Sequence, residues 1–205
     1  MTFRILTVCS GNICRSPLAE QLLRNGLADV EGVSVGSAGT IAMVGERMPP
    51  EAAALAARFG ATDAAAHRAR QLDEQLIRDA DLVLALAREH RRFVVETVPA
   101  ATRTTFTLRE FAHLAASVSE ADLADIDPAP RGEGVRQCLG AVVAATAALR
   151  GVVEPLASVD DLDVIDPYRR GASVYEESAA QLVPAVRSSV DLFRRAAGRT
   201  AAGRT

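Results

Sequence analysis

The chain of 205 residues contains no lysine, and all 23 of its basic residues are arginine. This absence excludes Schiff-base chemistry and the Walker-type phosphate loop, because both need a lysine side chain. An anion site must therefore be built from arginine and backbone N–H groups. The formal net charge of −3 indicates no nucleic-acid partner, since protein surfaces that bind nucleic acids are basic.

Cysteine, histidine and long apolar runs are also scarce. Three unevenly placed cysteines are too few for the disulfide framework of a secreted protein. No early apolar run has the length of a signal peptide or a membrane span, so we expect a cytoplasmic protein with no membrane partner. The three histidines lack paired ligand spacing, and we expect no metal and no cofactor. We expect His67 to make a local hydrogen bond and His90 to lie on a solvated helix face.

Short apolar strands alternate with helical patterns along the chain. The predicted strands lie near residues 3–8, 33–38, 81–86 and 103–106. The predicted helices lie near residues 17–29, 50–59, 73–79, 88–97 and 174–196. This alternation predicts an α/β fold with a four-stranded parallel sheet, helices on both faces and a ligand site at the carboxyl ends of the strands.

The loop from Cys9 to Ser16 reads Cys-Ser-Gly-Asn-Ile-Cys-Arg-Ser and directly joins the first strand to the first helix. A helix N-terminus binds anions, and the same field favours the thiolate form of Cys9. Arg15 can donate two hydrogen bonds to a tetrahedral oxyanion. Gly11 and Asn12 suit backbone with a positive φ. The loop therefore predicts a thiol nucleophile in a phosphate-binding site, although a strand-end cysteine can also be a simple core residue.

The stretch Val8–Pro17, together with Ala19-Glu20, resembles the signature of the low-molecular-weight protein tyrosine phosphatases. Further matches to that family are Ser37-Ala38-Gly39-Thr40, residues 67–72, residues 81–86 and Asp166-Pro167-Tyr168. The resemblance covers roughly residues 3 to 110 and 164 to 195. It implies one phosphatase domain over residues 1–196, a helical insertion at 111–163 and a flexible basic tail at 197–205.

The resemblance also implies roles for individual residues. Cys9 would be the nucleophile that forms a phosphocysteine, Arg15 would hold the phosphate, and Asp166 would be the general acid. The remaining phosphate-binding and substrate-binding positions are Ser10, Gly11, Asn12, Ile13, Cys14, Ser16, Met43 and Tyr168. Of these, Ser16 would donate its hydroxyl to the Cys9 sulfur and Asn12 would stabilise the loop.

Some residues leave two interpretations open. Cys14 is either a redox partner of Cys9 or a packing residue. Tyr168 is either a substrate wall or a residue that packs the loop. Met43 either forms an apolar wall or the wall is absent. The tripeptide Ile-Asp-Pro occurs twice, and we expect the first copy, with Asp127, to be a turn. The inserted segment, with its helical run at 135–149, is either an appendage on the domain edge or a lid or partner surface.

The resemblance implies a protein substrate that carries phosphotyrosine, with inorganic phosphate or another oxyanion bound in the site. One alternative is an arsenate reductase on the same fold, but that chemistry needs further cysteines and residues 73–104 contain none. A second is a phosphoarginine phosphatase, whose members carry threonine where this chain has Ile13. A third is a non-catalytic phosphate-binding module, against which the combination of Cys9, Arg15 and Asp166 argues.

Overall fold

A computed structural model describes residues 1–126 and 134–202 of the chain. Its strands are β1 (Phe3–Cys9), β2 (Val33–Gly39), β3 (Leu82–Ala85) and β4 (Thr105–Thr107). Its α-helices are α1 (Arg15–Gly26), α2 (Pro50–Arg58), α3 (Glu74–Asp79), α4 (Arg88–Thr97), α5 (Leu108–Ala115), α6 (Glu120–Ala124), α7 (Gly134–Ala148) and α8 (Ala172–Ala202). Asp127, for which the sequence predicts a turn, lies outside the described residues.

The four strands form one parallel sheet in the order β2-β1-β3-β4, which confirms the predicted sheet. Cys9 is the last residue of β1 and pairs with Gly39, the last residue of β2. Val8 pairs in the same way with Ala85 at the end of β3. The carboxyl ends of these strands therefore meet at one edge of the sheet, where parallel α/β folds bind their ligands.

Apolar side chains cover both faces of the sheet, as predicted. On one face the Phe193 ring contacts the rings of Phe3 and Phe111, and its centroid lies 5.7 Å from the centroid of each. On the other face, strand residues pack against Ile77 of α3 and Val94 of α4. Burial on two faces gives each strand the nearly continuous apolar sequence that is typical of parallel sheets.

Capping side chains fix where two of the helices begin. Asp73 accepts a hydrogen bond from the backbone N–H of Leu76 and so starts α3. Thr107 ends β4 and caps α5, and its backbone N–H donates a hydrogen bond to the Glu110 carboxylate. Such caps typically contribute about 1 kcal/mol each. The capping box also fixes the Glu110 carboxylate beside the end of β4.

The structure adds detail to two expectations about the later part of the chain. Helix α7, in the segment predicted to be an insertion, packs against α8, α5 and β1. Its residues Leu139 and Val142 are fully buried in the same core as β1. Helix α8 continues to Ala202, so the predicted flexible tail is helical as far as residue 202. None of the described helices combines the length and apolar character that crossing a membrane requires.

Candidate active site

The Cys9 thiol lies at the end of β1, with its Sγ 3.0 Å from the hydroxyl oxygen of Ser16. The direction of this hydrogen bond follows from a neighbour, because Asn12 Nδ2 donates to the same hydroxyl oxygen at 2.9 Å. With its oxygen engaged as an acceptor, the Ser16 hydroxyl is oriented to donate its hydrogen to the sulfur. The Ser16 hydroxyl is therefore a hydrogen-bond donor to the Cys9 sulfur.

Asn12 is the centre of the buried hydrogen-bond network beneath the loop. Its φ of 55° is in the left-handed region, which asparagine tolerates better than most residues. Its Oδ1 accepts from the Arg70 backbone N–H at 2.9 Å, which fixes the orientation of the amide. Its Nδ2 also donates to the Ser37 hydroxyl at 2.8 Å. His67 Nε2 donates to the backbone carbonyl oxygen of Asn12 at 2.7 Å. The sequence predicted a loop-stabilising role for Asn12, but not the participation of Ser37 and Arg70. The hydrogen bond of His67 is not local as expected, because it joins residues 55 positions apart.

Residues that follow β2 hold the backbone of the loop through its carbonyl oxygens, which leaves loop N–H groups available to a ligand. Backbone N–H groups of residues 40, 41 and 43 donate to the carbonyl oxygens of Cys9, Ser10 and Gly11 at 2.9 to 3.0 Å. Among the residues that the structure describes, the N–H groups of Gly11, Asn12 and Ile13 have no hydrogen-bond acceptor. Consecutive N–H groups of this kind, next to a helix N-terminus, suit the oxygens of a phosphate.

Arg15 connects the loop to the distant acid segment. Its Nη1 donates to the Val164 carbonyl oxygen at 3.0 Å, and its Nη2 lies 2.9 Å from Asp166 Oδ2. The Arg15 side chain is only 4% exposed, whereas that of Asp166 is 50% exposed. The structure therefore brings the buried Arg15 guanidinium into direct contact with the exposed Asp166 carboxylate.

Backbone contacts hold the acid segment at the carboxyl end of β3. The Val164 N–H donates to the Leu86 carbonyl oxygen at 2.9 Å, and the Ile165 N–H donates to Gln181 Oε1 at 2.8 Å. Asp163 accepts from the Arg88 backbone N–H at 2.7 Å. Because these contacts precede Asp166 directly, its carboxylate is presented from a fixed backbone.

Two residues predicted as substrate walls lie at the rim of the site. Met43 is partly exposed, and its Cγ would lie 3.7 Å from a Cβ placed on Gly11. Tyr168 is partly buried, and the Arg169 guanidinium lies 5.1 Å from the centre of its ring. Arg169 has a φ of 58°, which an L-residue with a long side chain rarely adopts. The surface around Tyr168 is therefore cationic as well as aromatic.

Cys14 is buried in the same loop, with its Sγ 3.9 Å from the Tyr175 hydroxyl. Burial raises the pKa of Cys14 to about 12, and only the Tyr175 and Arg15 contacts oppose this effect. Cys14 therefore stays a neutral thiol at physiological pH, in contrast to the role predicted for Cys9. All three cysteines are free.

The sequence failed to predict the contact that His90 makes with the loop. Its side chain is buried, not solvated as expected, and its Nε2 lies 2.9 Å from the Ser10 hydroxyl oxygen. Burial lowers the pKa of His90 to about 3, and the nearby charge of Arg15 contributes to this shift. His90 is therefore neutral and supports the loop from the side of α4. Within the described ranges, no group of three or more histidine, cysteine, aspartate or glutamate residues could hold a metal ion.

Comparisons with known proteins agree with this geometry. The sequence model of the low molecular weight phosphotyrosine protein phosphatases matches residues 4–149. The match thus runs through most of the segment predicted to be an insertion and ends before Asp166. The chain is 41% identical over 125 residues to a protein-arginine-phosphatase of Geobacillus stearothermophilus, an alignment that covers 61% of this chain and 79% of the relative.

The chain is also 43% identical over 106 residues to EpsP of Ralstonia solanacearum, a probable low molecular weight protein-tyrosine-phosphatase. This alignment covers 52% of this chain and 70% of the relative. Among solved structures, the low molecular weight protein tyrosine phosphatase from T. tengcongensis superposes with a TM-score of 0.64 and 27% identity, over 93% of this chain and 99% of the other. The chain belongs to the low molecular weight phosphotyrosine protein phosphatase family.

Proposed function

We propose that this chain is a phosphoprotein phosphatase that hydrolyses phosphotyrosine through a phosphocysteine on Cys9. The observation that carries the proposal is the 2.9 Å contact between Arg15 Nη2 and Asp166 Oδ2. This contact places an exposed carboxylate beside the guanidinium of a loop that also holds Cys9 and several unpaired N–H groups. A nucleophile, an oxyanion clamp and a proton donor are the three parts that cysteine-dependent phosphoryl transfer needs.

In the first step the Cys9 sulfur attacks phosphorus, and the bond from phosphorus to the phenolic oxygen breaks. The loop N–H groups and Arg15 hold the three non-bridging oxygens, whose charge would otherwise repel the thiolate. Asp166, in its protonated form, gives its proton to the departing phenolic oxygen. The products of this step are a free tyrosine side chain, phosphocysteine and an ionised Asp166.

In the second step water attacks the phosphocysteine. The Asp166 carboxylate takes a proton from this water, the phosphorus–sulfur bond breaks and inorganic phosphate leaves. The Ser16 hydroxyl, 3.0 Å from Sγ, donates to the thiolate that departs and stabilises it. Both steps use the same groups, so the site returns to its starting protonation state.

Phosphotyrosine is the preferred substrate class because of the groups around the loop. Ile13 is apolar, and the partly buried ring of Tyr168 with the thioether of Met43 gives an aryl group two apolar surfaces. Arg169 and Arg170 are exposed beside Tyr168 and would oppose the guanidinium part of phosphoarginine.

Phosphoarginine is the second candidate, because the Geobacillus relative with that named activity is 41% identical to this chain. Arsenate reduction has less support, because that chemistry needs further cysteines and residues 73–104 contain none. We infer a cytoplasmic location, because a catalytic thiolate and three free cysteines suit a reducing compartment.

The test uses one peptide sequence prepared with phosphotyrosine and with phosphoarginine. Wild type should release phosphate faster from the phosphotyrosine form, and Cys9→Ser should release none from either. Faster release from the phosphoarginine form would reassign the substrate and leave the mechanism intact. Undiminished release by Cys9→Ser would remove the proposed nucleophile.

A further inference from the structure

A cleft of about 1110 Å³ extends from the active site along helix α4. Its lining includes Arg15 and Asp166 of the active site together with Arg91, Glu110 and Arg150. Arg150 follows α7, so the segment predicted to be an insertion contributes a wall to the same cleft as the catalytic groups. A substrate bound at the phosphate loop has this cleft beside it.

Arg91 and Arg150 converge on the same two acceptors. Arg91 Nε donates to the Thr105 carbonyl oxygen at 3.1 Å, and Arg150 Nη2 donates to the same oxygen at 2.7 Å. Both also pair with Glu110, at 3.8 Å from Arg91 Nε and 2.7 Å from Arg150 Nε. Two guanidinium groups therefore share one carboxylate, which leaves an excess of one positive charge at this point of the cleft.

The two arginines differ in how many of their donors are used. Arg150 donates through all three of its nitrogens, to Glu110, Thr102 and Thr105, and its guanidinium lies 3.9 Å from the centre of the Phe106 ring. Arg91 donates through Nε alone, and its two terminal amino groups have no acceptor in the described part of the chain. Its side chain is 31% exposed. Arg91 can therefore bind an anion in the cleft, while Arg150 is fixed and adds positive charge.

The other cationic residues of the cleft are already paired or are more exposed. Arg88 pairs with Asp160 at 2.6 Å and with Asp163 at 2.9 Å. Arg92 is 76% exposed and lies 3.9 Å from Glu96. Glu89 also lines the cleft, so the excess positive charge at Arg91 and Arg150 is local to this pair and does not extend over the whole cleft.

We propose that Arg91, supported by Arg150, forms a subsite for the carboxylate of an acidic residue near the phosphorylated residue of the substrate. The inference rests on the proposed function, since it assumes a phosphorylated protein in the site. The two terminal amino groups of Arg91 match the two oxygens of a carboxylate. Partial burial in the cleft weakens the screening of this pair by water and salt.

The experiment measures kcat/KM for peptides in which one position flanking the phosphorylated residue is either aspartate or asparagine. Each of the four positions on either side is tested in turn, in phosphotyrosine and phosphoarginine versions. For wild type at low salt, aspartate should raise kcat/KM about fivefold at one or more positions, and high salt should reduce this preference. Arg91→Gln should bring the aspartate-to-asparagine ratio to about one.

Two further variants separate charge recognition from a structural effect. Arg92→Gln, on the same helix and in the same cleft, should keep the wild-type ratio. Glu110→Gln should raise the ratio, because it removes the competing carboxylate while glutamine can still cap α5. Thermal melting of each variant shows whether it is folded.

The outcomes distinguish this inference from the proposed function. Hydrolysis of the asparagine peptides with a ratio of about one at every position would overturn the inference and leave the proposed function intact. An equal loss of the ratio in Arg91→Gln and Arg92→Gln would also overturn it. Hydrolysis of p-nitrophenyl phosphate but of no peptide in either version would overturn both.

Discussion

Replacement of Asp166 by asparagine tests the proposed proton donor, because asparagine keeps the size of the side chain but cannot supply a proton. Asp166 Oδ2 lies 2.9 Å from Arg15 Nη2 and is half exposed, a position from which it can reach a leaving oxygen. A general acid of this kind contributes about 10²–10⁴-fold to the rate. We therefore expect kcat/KM for phosphotyrosine to fall by about that factor, or about 3–5 kcal/mol in the barrier.

The loss should depend on the leaving group. The phenol of tyrosine has a pKa of about 10 and leaves poorly without a proton, whereas an acidic phenol leaves readily as the anion. Phosphate affinity should not weaken, because Arg15 keeps its hydrogen bond to the Val164 carbonyl oxygen and the variant removes a negative charge near the dianion. The assay is kcat/KM across aryl phosphates whose phenols differ in acidity, with inhibition by inorganic phosphate measured alongside.

Asp127 supplies a matched control, since it stands in an identical Ile-Asp-Pro tripeptide. Asp127→Asn should be nearly silent with every substrate. The reasoning is refuted if Asp166→Asn loses the same factor with all leaving groups, or if Asp127→Asn carries the leaving-group dependence instead.

Three more predictions concern the residues around the loop. Asn12→Ala should lower the free energy of unfolding, measured by urea titration, by about 3–5 kcal/mol. Alanine at positive φ lacks the side-chain hydrogen bonds that stabilise asparagine there, and the Arg70 N–H loses its acceptor. Asn12→Gly should lose less, and equal losses would argue against the backbone contribution. After peroxide treatment, Cys14→Ser should regain less activity with dithiothreitol than wild type, because a disulfide to Cys14 would protect Cys9 from irreversible oxidation. Equal recovery of activity would contradict a redox role for Cys14. His90 has a pKa lowered from 6.5 to about 3 in the folded chain, so the unfolded chain binds the additional proton between these values. Stability should therefore fall as the pH drops through that window, by about 1.4 kcal/mol per unit, and His90→Gln should show a shallower fall; an unchanged slope would contradict the assignment.

The local pattern of the sequence was sufficient to predict the sheet and the loop from Cys9 to Ser16. Each of the four strands lies within about two residues of its predicted position, since short apolar runs between helical patterns are a local property. The loop from Cys9 to Ser16 was predictable because its residues are contiguous and their chemistry does not depend on distant contacts. Its hydrogen bonds to Ser37 and Arg70 were not, since they join positions far apart in the sequence.

The faces of helices were harder to predict. His90 follows Glu89 on α4, and spacing alone did not show that His90 would face the loop rather than solvent. The burial of α7 was missed for a related reason. Its alanine- and valine-rich sequence fits a surface helix as well as a core helix, and only the contacts with α8 and β1 decide between them.

The acid segment shows a third limit. The sequence offered two identical tripeptides, and the choice of Asp166 over Asp127 came from family resemblance. The structure supplies a physical reason for that choice, because Val164 donates to Leu86 and accepts from Arg15. Backbone contacts of this kind have no signature in the side chains.

The most direct test of the central claim is to trap the covalent intermediate. Wild type is mixed with a phosphotyrosine peptide, quenched within the first turnover, digested and analysed by mass spectrometry. We predict a single phosphoryl group on the peptide that contains Cys9, and none when Cys9→Ala is treated in the same way. A phosphoryl group on any other residue, or continued hydrolysis by Cys9→Ala, would contradict the account.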